Sequence, residues 1–231
     1  MSTMRSRSVY QRALSPELFS ALHPILQTYA GPIPSGSVGI GRGSYDFAGP
    51  TSRLLGPVLR VLAWRHVLFP ESGRDVPLLV RNEPRSDGTL AATRVFGFRG
   101  RPRSMEDRMT PIPGAIVDRL GRRGGLEVTL AVEVIDGGMR LSSRRLRGRV
   151  GPLALVLPPW AGVTVDERII DGRQHVDARV SVTGLGEVFR YTGSFTYEIV
   201  PAAPEGGPGR GQRLGSDFSD TGASPDAASA S

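Results

Sequence analysis

From Val76 to Ile199 the chain alternates apolar and polar residues in nine short runs separated by turn-forming residues, and this pattern restricts the fold more than any other feature. A period of two sends successive side chains to opposite faces of a strand. The runs are 76–83, 89–98, 104–109, 115–120, 126–135, 139–148, 163–170, 174–183 and 187–199. Between them lie SDG (86–88), DGG (136–138) and IDGR (170–173), all of hairpin type. Such short connections join neighbours antiparallel. In the last run Phe189, Tyr191, Phe195, Tyr197 and Ile199 share one face, while Arg190, Thr192, Ser194, Thr196 and Glu198 share the other. One side is dry and the other wet. About nine twisted strands with a single apolar face must curl, close or be covered. The expected fold is α+β, mainly antiparallel β: a strongly curved meander sheet or barrel of about nine strands with two N-terminal helices packed across it.

The helices fall within 16–69 and the antiparallel sheet within 76–200. Ser15 as N-cap, Pro16 at the first helical position and Glu17 in the first turn predict a helix from about Pro16 to Tyr29, kinked or divided at Pro24. A second helix starts near Pro57 and ends before Pro70. Between them, 37–50 reads as a glycine-interrupted strand. Its Gly39, Gly41 and Gly43 resemble a phosphate cradle, but a dinucleotide fingerprint opens a helix at the third glycine, and here alternation runs on to Pro50. A bulged strand is the better reading. Residues 1–200 form a single folded domain, and 201–231, rich in Gly, Pro, Ala and Ser, form a disordered tail.

Composition excludes several chemistries. The formal net charge is +7, and setting aside the tail's four acids and two arginines leaves the remaining chain at +9. All 29 basic residues are arginine, so a lysine Schiff base and the lysine of a Walker-type phosphate loop are both ruled out. With no cysteine there are no disulfides, thiolate nucleophiles or cysteine metal sites. His23, His66 and His175 show no metal-ligand spacing. No cofactor or metal is implied. The apolar stretch 150–163 is too short for a bilayer span and contains three prolines, and no signal-peptide core precedes Pro16, so a soluble, cytoplasmic chain is expected.

The same parity that builds the sheet places charges on its dry side. Arg94 lies with Leu90, Ala92, Phe96 and Phe98; Asp107 with Met105 and Met109; Asp118 with Ile116 and Leu120; Glu167 with Val163, Val165 and Ile169. If Asp136 and Gly137 form a two-residue turn, Val134 meets Met139 and Val132 meets Leu141, which puts Arg145 opposite Val128 and Arg147 opposite Leu126, both inward unless a bulge intervenes. The expectation is that Arg145 meets carboxylates inside and Arg147 reaches the rim. Unpaired interior charges cost several kcal/mol, so these groups must neutralise one another or face water or a ligand. Two readings stay open. One is a structural network of Arg94 and Arg145 with Asp107, Asp118 and Glu167 that sets strand register. The other is a cavity whose polar end holds an anionic or hydroxylated headgroup, with Phe96, Phe98, Phe189, Tyr191, Phe195 and Tyr197 lining the apolar remainder.

The segments LHP (22–24), VGIGRGSYDFAGP (38–50), LFPESGRDVP (68–77), TRVFGF (93–98), GAIVDRLG (114–121) and YTGSFTYE (191–198) together resemble a bacterial domain-of-unknown-function family frequent in actinobacteria, DUF4166. The resemblance spans roughly residues 8–200, and FPESGRDVP is its most specific piece. It implies relatives that occur alone or joined to short-chain or saccharopine-type dehydrogenase domains, hence a dehydrogenase partner, and it brings no assigned activity.

The functional expectation is therefore a binding or accessory module for a small amphiphilic or acidic ligand, with ligand-binding residues Arg94, Asp107, Asp118, Arg145, Glu167, Phe96, Tyr191 and Phe195. The alternative is an isomerase- or hydrolase-type enzyme with Asp107, Asp118 or Glu167 as base and Arg94 or Arg145 opposing developing negative charge. A further alternative is an interaction module for a dehydrogenase or an anionic surface. Arginine clusters at 99–108, 122–123 and 140–149 are not interleaved with exposed aromatics, which argues against nucleic acid. Arg53, Arg60 and Trp64 share one side of the second helix, an arrangement suited to peripheral membrane contact as well as to plain packing.

Overall fold

The computed structural model describes residues 7–52, 56–122, 124–150, 153–156 and 160–202. Three short helices come first: α1 (Val9–Ala13), α2 (Pro16–Ser20) and α3 (Pro24–Ala30). Helix α1 was not foreseen, although Ser8 and Gln11 form a reciprocal capping box at its start. The helix expected over 16–29 is divided. His23 caps α3 and Pro24 begins it, because proline has no N–H to donate to the preceding turn.

The chain continues through β1 (Ser37–Pro50), α4 (Gly56–Trp64), β2 (Gly73–Pro84), β3 (Leu90–Phe96), β4 (Arg103–Ile112), β5 (Ala115–Leu120), β6 (Leu126–Ile135), β7 (Gly138–Val150), β8 (Leu153–Val156), β9 (Ala161–Ile170), β10 (Arg173–Val182) and β11 (Gly186–Pro201). Every pairing is antiparallel. The order β6-β5-β4-β3-β2-β1-β11-β10-β9-β7 returns to β6 through the β6–β7 hairpin, which closes a ten-stranded barrel. Strand β1 pairs with both β2 and β11 and so adds the tenth stave, while β8 extends the end of β7 beyond its pairing with β9. Closure leaves the barrel without a long free edge.

Alternate strand ends define two mouths. At one, the hairpin turns meet the N-terminal helices: Gly114 N–H donates to the Ala13 carbonyl at 3.2 Å, His23 N–H to the Gly137 carbonyl at 2.8 Å, and Arg12 to the Gly88 carbonyl at 3.2 Å. The connection containing α4 crosses the other mouth, where Glu106 N–H donates to the His66 carbonyl and Arg122 N–H to the Arg65 carbonyl, both at 3.1 Å. The two helical regions thus cap opposite ends of the barrel. The cause is that β1 begins at one mouth and ends at the other, so the α4 connection starts at the far end.

A ten-stranded barrel is wider than an eight-stranded one, whose interior strand side chains alone can fill. Large rings and inserted helix residues make up the difference. Toward the α4 mouth Phe69 lies 4.7 Å from Phe96, 5.1 Å from Phe98 and 5.0 Å from Phe189, centroid to centroid, and Tyr45 lies 5.1 Å from Tyr191. Burying each such ring contributes about 2–3 kcal/mol. The glycines of β1 admit this filling: a Cβ on Gly39 would fall 1.6 Å from the Tyr197 hydroxyl and one on Gly41 2.9 Å from the Phe195 ring. They are clearance for aromatics rather than a phosphate cradle, and β1 does bulge, between Tyr45 and Phe47. Among the described residues no helix is long and apolar enough to cross a membrane. The tail expected to be disordered lies, from residue 203, outside the described residues.

Candidate functional site

Three interior charges form a staircase across adjacent strands. Arg94 on β3 faces Met105, and Asp107 on β4 faces Ala92 and Leu120, while Asp118 on β5 faces Met109. Each is therefore the diagonal neighbour of the next, within reach of a long side chain. Arg94 donates to Asp107 Oδ2 in a buried ion pair. Glu167 on β9 stands five strands from β3 in either direction round the ring, and it accepts from Gln174 Nε2 at 2.8 Å. From the helical mouth Tyr10 and Tyr29 descend between them. Tyr10 donates to Met109 Sδ at 3.5 Å, and Tyr29 packs 6.2 Å from Tyr10 and 5.0 Å from Tyr197.

One guanidinium thus serves three buried carboxyls. Burial raises Asp107 despite the pull of Arg94. Asp118 is raised well above the usual aspartate value by burial and by the nearby Asp107, with Arg94 offsetting only part. Glu167 is pushed up to about 7 by burial, against the attraction of Arg94 and the bond from Gln174. For Arg94, burial works against the charge, but Asp107 together with Tyr191, Tyr29 and Tyr45 outweighs it and raises the group well above its ordinary value. Burial and then Glu167 push Tyr10 and Tyr29 well above the ordinary phenol value, so both hydroxyls remain donors. Three atoms in this region, Asp107 Oδ1, Asp118 Oδ1 and Gln174 Oε1, are buried without a hydrogen-bond partner. Each such acceptor costs about 1–3 kcal/mol unless something donates to it.

Of the residues singled out from the sequence, Arg94, Asp107, Asp118, Glu167, Phe96, Tyr191 and Phe195 all point into the barrel. Arg145 does not. A bulge between Thr129 and Leu130 shifts the β6–β7 register by one residue, so Arg145 pairs with Thr129 and is exposed, and Leu146 takes the inward place opposite Val128. The expected inward turn of Arg145 is corrected by that single extra residue. Arg147 lands beside Glu127 on the outer face, 3.4 Å from a carboxylate that also holds Arg119 at 3.1 Å.

Parity reasoning alone could have found Gln174, which shares a face with Val176 and Ala178. Tyr10 was signalled by the Ser8-to-Gln11 capping box, whereas the insertion of Tyr29 depends on how α3 packs. His175 faces Arg168 as its register predicts, and His66 contacts Glu106 at 2.7 Å. Among the described residues no group of three or more His, Asp or Glu side chains is arranged to hold a metal ion. No curated protein matches the chain. The profile of one family matches residues 22–195, three quarters of the sequence and every barrel strand from β1 through most of β11, and the chain belongs to that family, Domain of unknown function (DUF4166).

Proposed function

We propose that the chain is a binding module whose barrel encloses the head of a small amphiphile beneath the N-terminal helices. The observation behind this reading is the trio of buried acceptors without donors, Asp107 Oδ1, Asp118 Oδ1 and Gln174 Oε1. Arg94 is already committed to Asp107, so the groups left over are mainly oxygen acceptors, with the proton that burial helps Asp118 to keep as the donor beside them. They suit a hydroxyl or ammonium head better than an acidic one, which narrows the amphiphilic-or-acidic expectation. Phe96, Tyr191 and Phe195 adjoin the polar region and would flank the apolar part of such a guest. Helices α1 to α3, which plug that mouth with the buried side chains of Val9, Tyr10, Leu22, Leu26 and Tyr29, are the element that has to move to admit it.

Native mass spectrometry of the purified chain tests the reading. It predicts a co-purifying small-molecule adduct that Asp118→Asn loses. Absence of any adduct, together with crystallographic waters donating to all three acceptors, overturns it in favour of a purely structural polar core.

A second reading draws on Glu167. A carboxyl poised near 7 suits general-base work at neutral pH, with Arg94 opposite to stabilise developing negative charge. This enzyme reading requires turnover that rises with ionisation of Glu167 and that Glu167→Gln abolishes while the chain stays folded.

A further inference from the structure

The mouth opposite the N-terminal helices gathers exposed aromatic and basic side chains that the interior site does not use. A cleft of about 440 Å³ there is lined by Arg60, Trp64, His66, Arg101, Arg103 and Arg122, among others. Two of its arginines are committed: Arg103 makes a two-point pair with Glu71, and Arg122 lies 3.6 Å from Glu106. Arg60 and Arg101 make no direct ion pair among the described residues, although the Arg101 charge acts on Glu71 from farther away. On α4 the inward face consists of Leu59, Leu62 and Ala63. Its outward face presents Arg60, Val61 at 61% exposure and Trp64 at 78%, with the Arg65 guanidinium 5.9 Å from the Trp64 ring. Arg53, expected on the same side, lies outside the described residues. The chain's other tryptophan, Trp160, is 65% exposed at the same mouth, where its carbonyl accepts from Thr183 N–H, and Leu185 is 45% exposed in the adjoining β10–β11 turn.

The arrangement favours a flat partner. Helix α4 stands beside β4 and β5, whereas Trp160 and Leu185 stand across the opening at β9 to β11. Exposed side chains thus stand on opposite sides of the opening, which a broad surface can meet together, whereas a small anion in the cleft meets one side. Indole rings partition into the headgroup layer of a bilayer, and unpaired guanidinium groups are drawn to an anionic leaflet and pair with its phosphates. We propose that this mouth docks peripherally on an anionic lipid surface, with Trp64, Val61 and Trp160 in the headgroup layer and Arg60 and Arg101 on lipid phosphates. The inference is independent of what the interior holds, so neither result decides the other.

Sedimentation of the full chain with phosphatidylcholine vesicles, with and without phosphatidylglycerol, tests it. The chain should pellet only with the anionic vesicles, release as salt is raised, and show a blue shift of tryptophan emission on binding. Arg60→Glu with Arg101→Glu should weaken binding by roughly tenfold or more. All of these side chains are exposed, so the variants keep their fold, and Trp160→Phe leaves Trp64 as the sole reporter. Equal binding to both vesicle types, no binding, or an unchanged Trp64 emission in the bound Trp160→Phe chain each overturns the proposal. Quenching of Trp64 by inorganic pyrophosphate without vesicle binding also overturns it and assigns the cleft to a soluble anion.

Discussion

Asp177 and Asp118 are both buried aspartates, at 5% and 7% exposure, yet they behave in opposite ways. Asp177 sits on the outer face of β10, where Arg190 forks both its oxygens at 2.9 Å and Arg179 reaches it from the same strand. Burial pushes its carboxyl up, but the bonds from Arg179 and Arg190 outweigh that and hold it below the usual value. Asp118 points inward, shares one distant guanidinium with two other acids, and is raised. Low exposure alone therefore does not decide a charge's fate; how deep the group lies and the ratio of cations to carboxylates around it do. Outside, guanidinium groups can bind a carboxylate while half their surface stays in water. Inside, each added arginine would itself need desolvation.

Removing Arg94, the one interior cation among the described residues, is the most severe way to break this contrast. Arg94→Met leaves Asp107 and Glu167 without a counter-charge, and a buried pair broken on one side costs about 3–5 kcal/mol. Urea unfolding at pH 7 should show that loss, and the deficit should shrink toward pH 5, where the orphaned acids take up protons. A loss of the same size at both pH values would mean that the variant suffers from lost packing instead.

The wild-type pH profile comes next. Glu167 rises from its ordinary 4.5 to about 7, so the folded chain binds a proton more tightly than the unfolded one. Its contribution is greatest below 4.5 and is lost as pH climbs through 7, a fall of about 3 kcal/mol that Glu167→Gln should flatten. Asp118 adds a slope of the same sign from its own ordinary value upward. Asp177 runs the other way: its stabilisation is present above 3.8 and disappears as pH drops through its lowered folded value. Asp177→Asn should cost about 1–2 kcal/mol at pH 7, tempered because Arg179 is half in water, and should remove only the acid-side loss. Chemical denaturation across the range, in both variants, separates the two limbs.

These contrasts were partly legible in the sequence. Period-two alternation put Arg94, Asp107, Asp118 and Glu167 on the dry face because strand parity is a local property and survives errors of a residue or two at strand ends. It failed at Arg145, where one extra residue in a run of four polar and basic side chains, Ser142 to Arg145, left no apolar marker to reveal the slip until Leu146. That this strand closes the barrel was harder to see, since 37–50 reads as a strand but Gly39, Gly41 and Gly43 leave much of its interior face without side chains to mark which neighbours it joins. Which mouth each helix caps, and that Tyr29 enters the barrel, depends on contacts between residues far apart in the chain, to which no local pattern responds.

The smallest expected effect is the most discriminating. Asp118 retains its proton well into the range where an ordinary aspartate has lost it, and its buried Oδ1 has no partner to lose. Asp118→Asn keeps the shape of a neutral acid, so thermal unfolding near the ordinary aspartate value of 3.8, where the unfolded chain also holds much of its proton, should move by less than about 1 kcal/mol in either direction. A guest held by that oxygen would still be released, because the amide donates where the carboxyl group's free oxygen accepted, provided the amide nitrogen takes the Oδ1 place. Unchanged stability with loss of an adduct makes Asp118 a binding residue. A large loss of stability would instead show that a donor already satisfies Oδ1 in solution, which brings Asp118 into line with Asp177 and removes the contrast on which the binding reading depends.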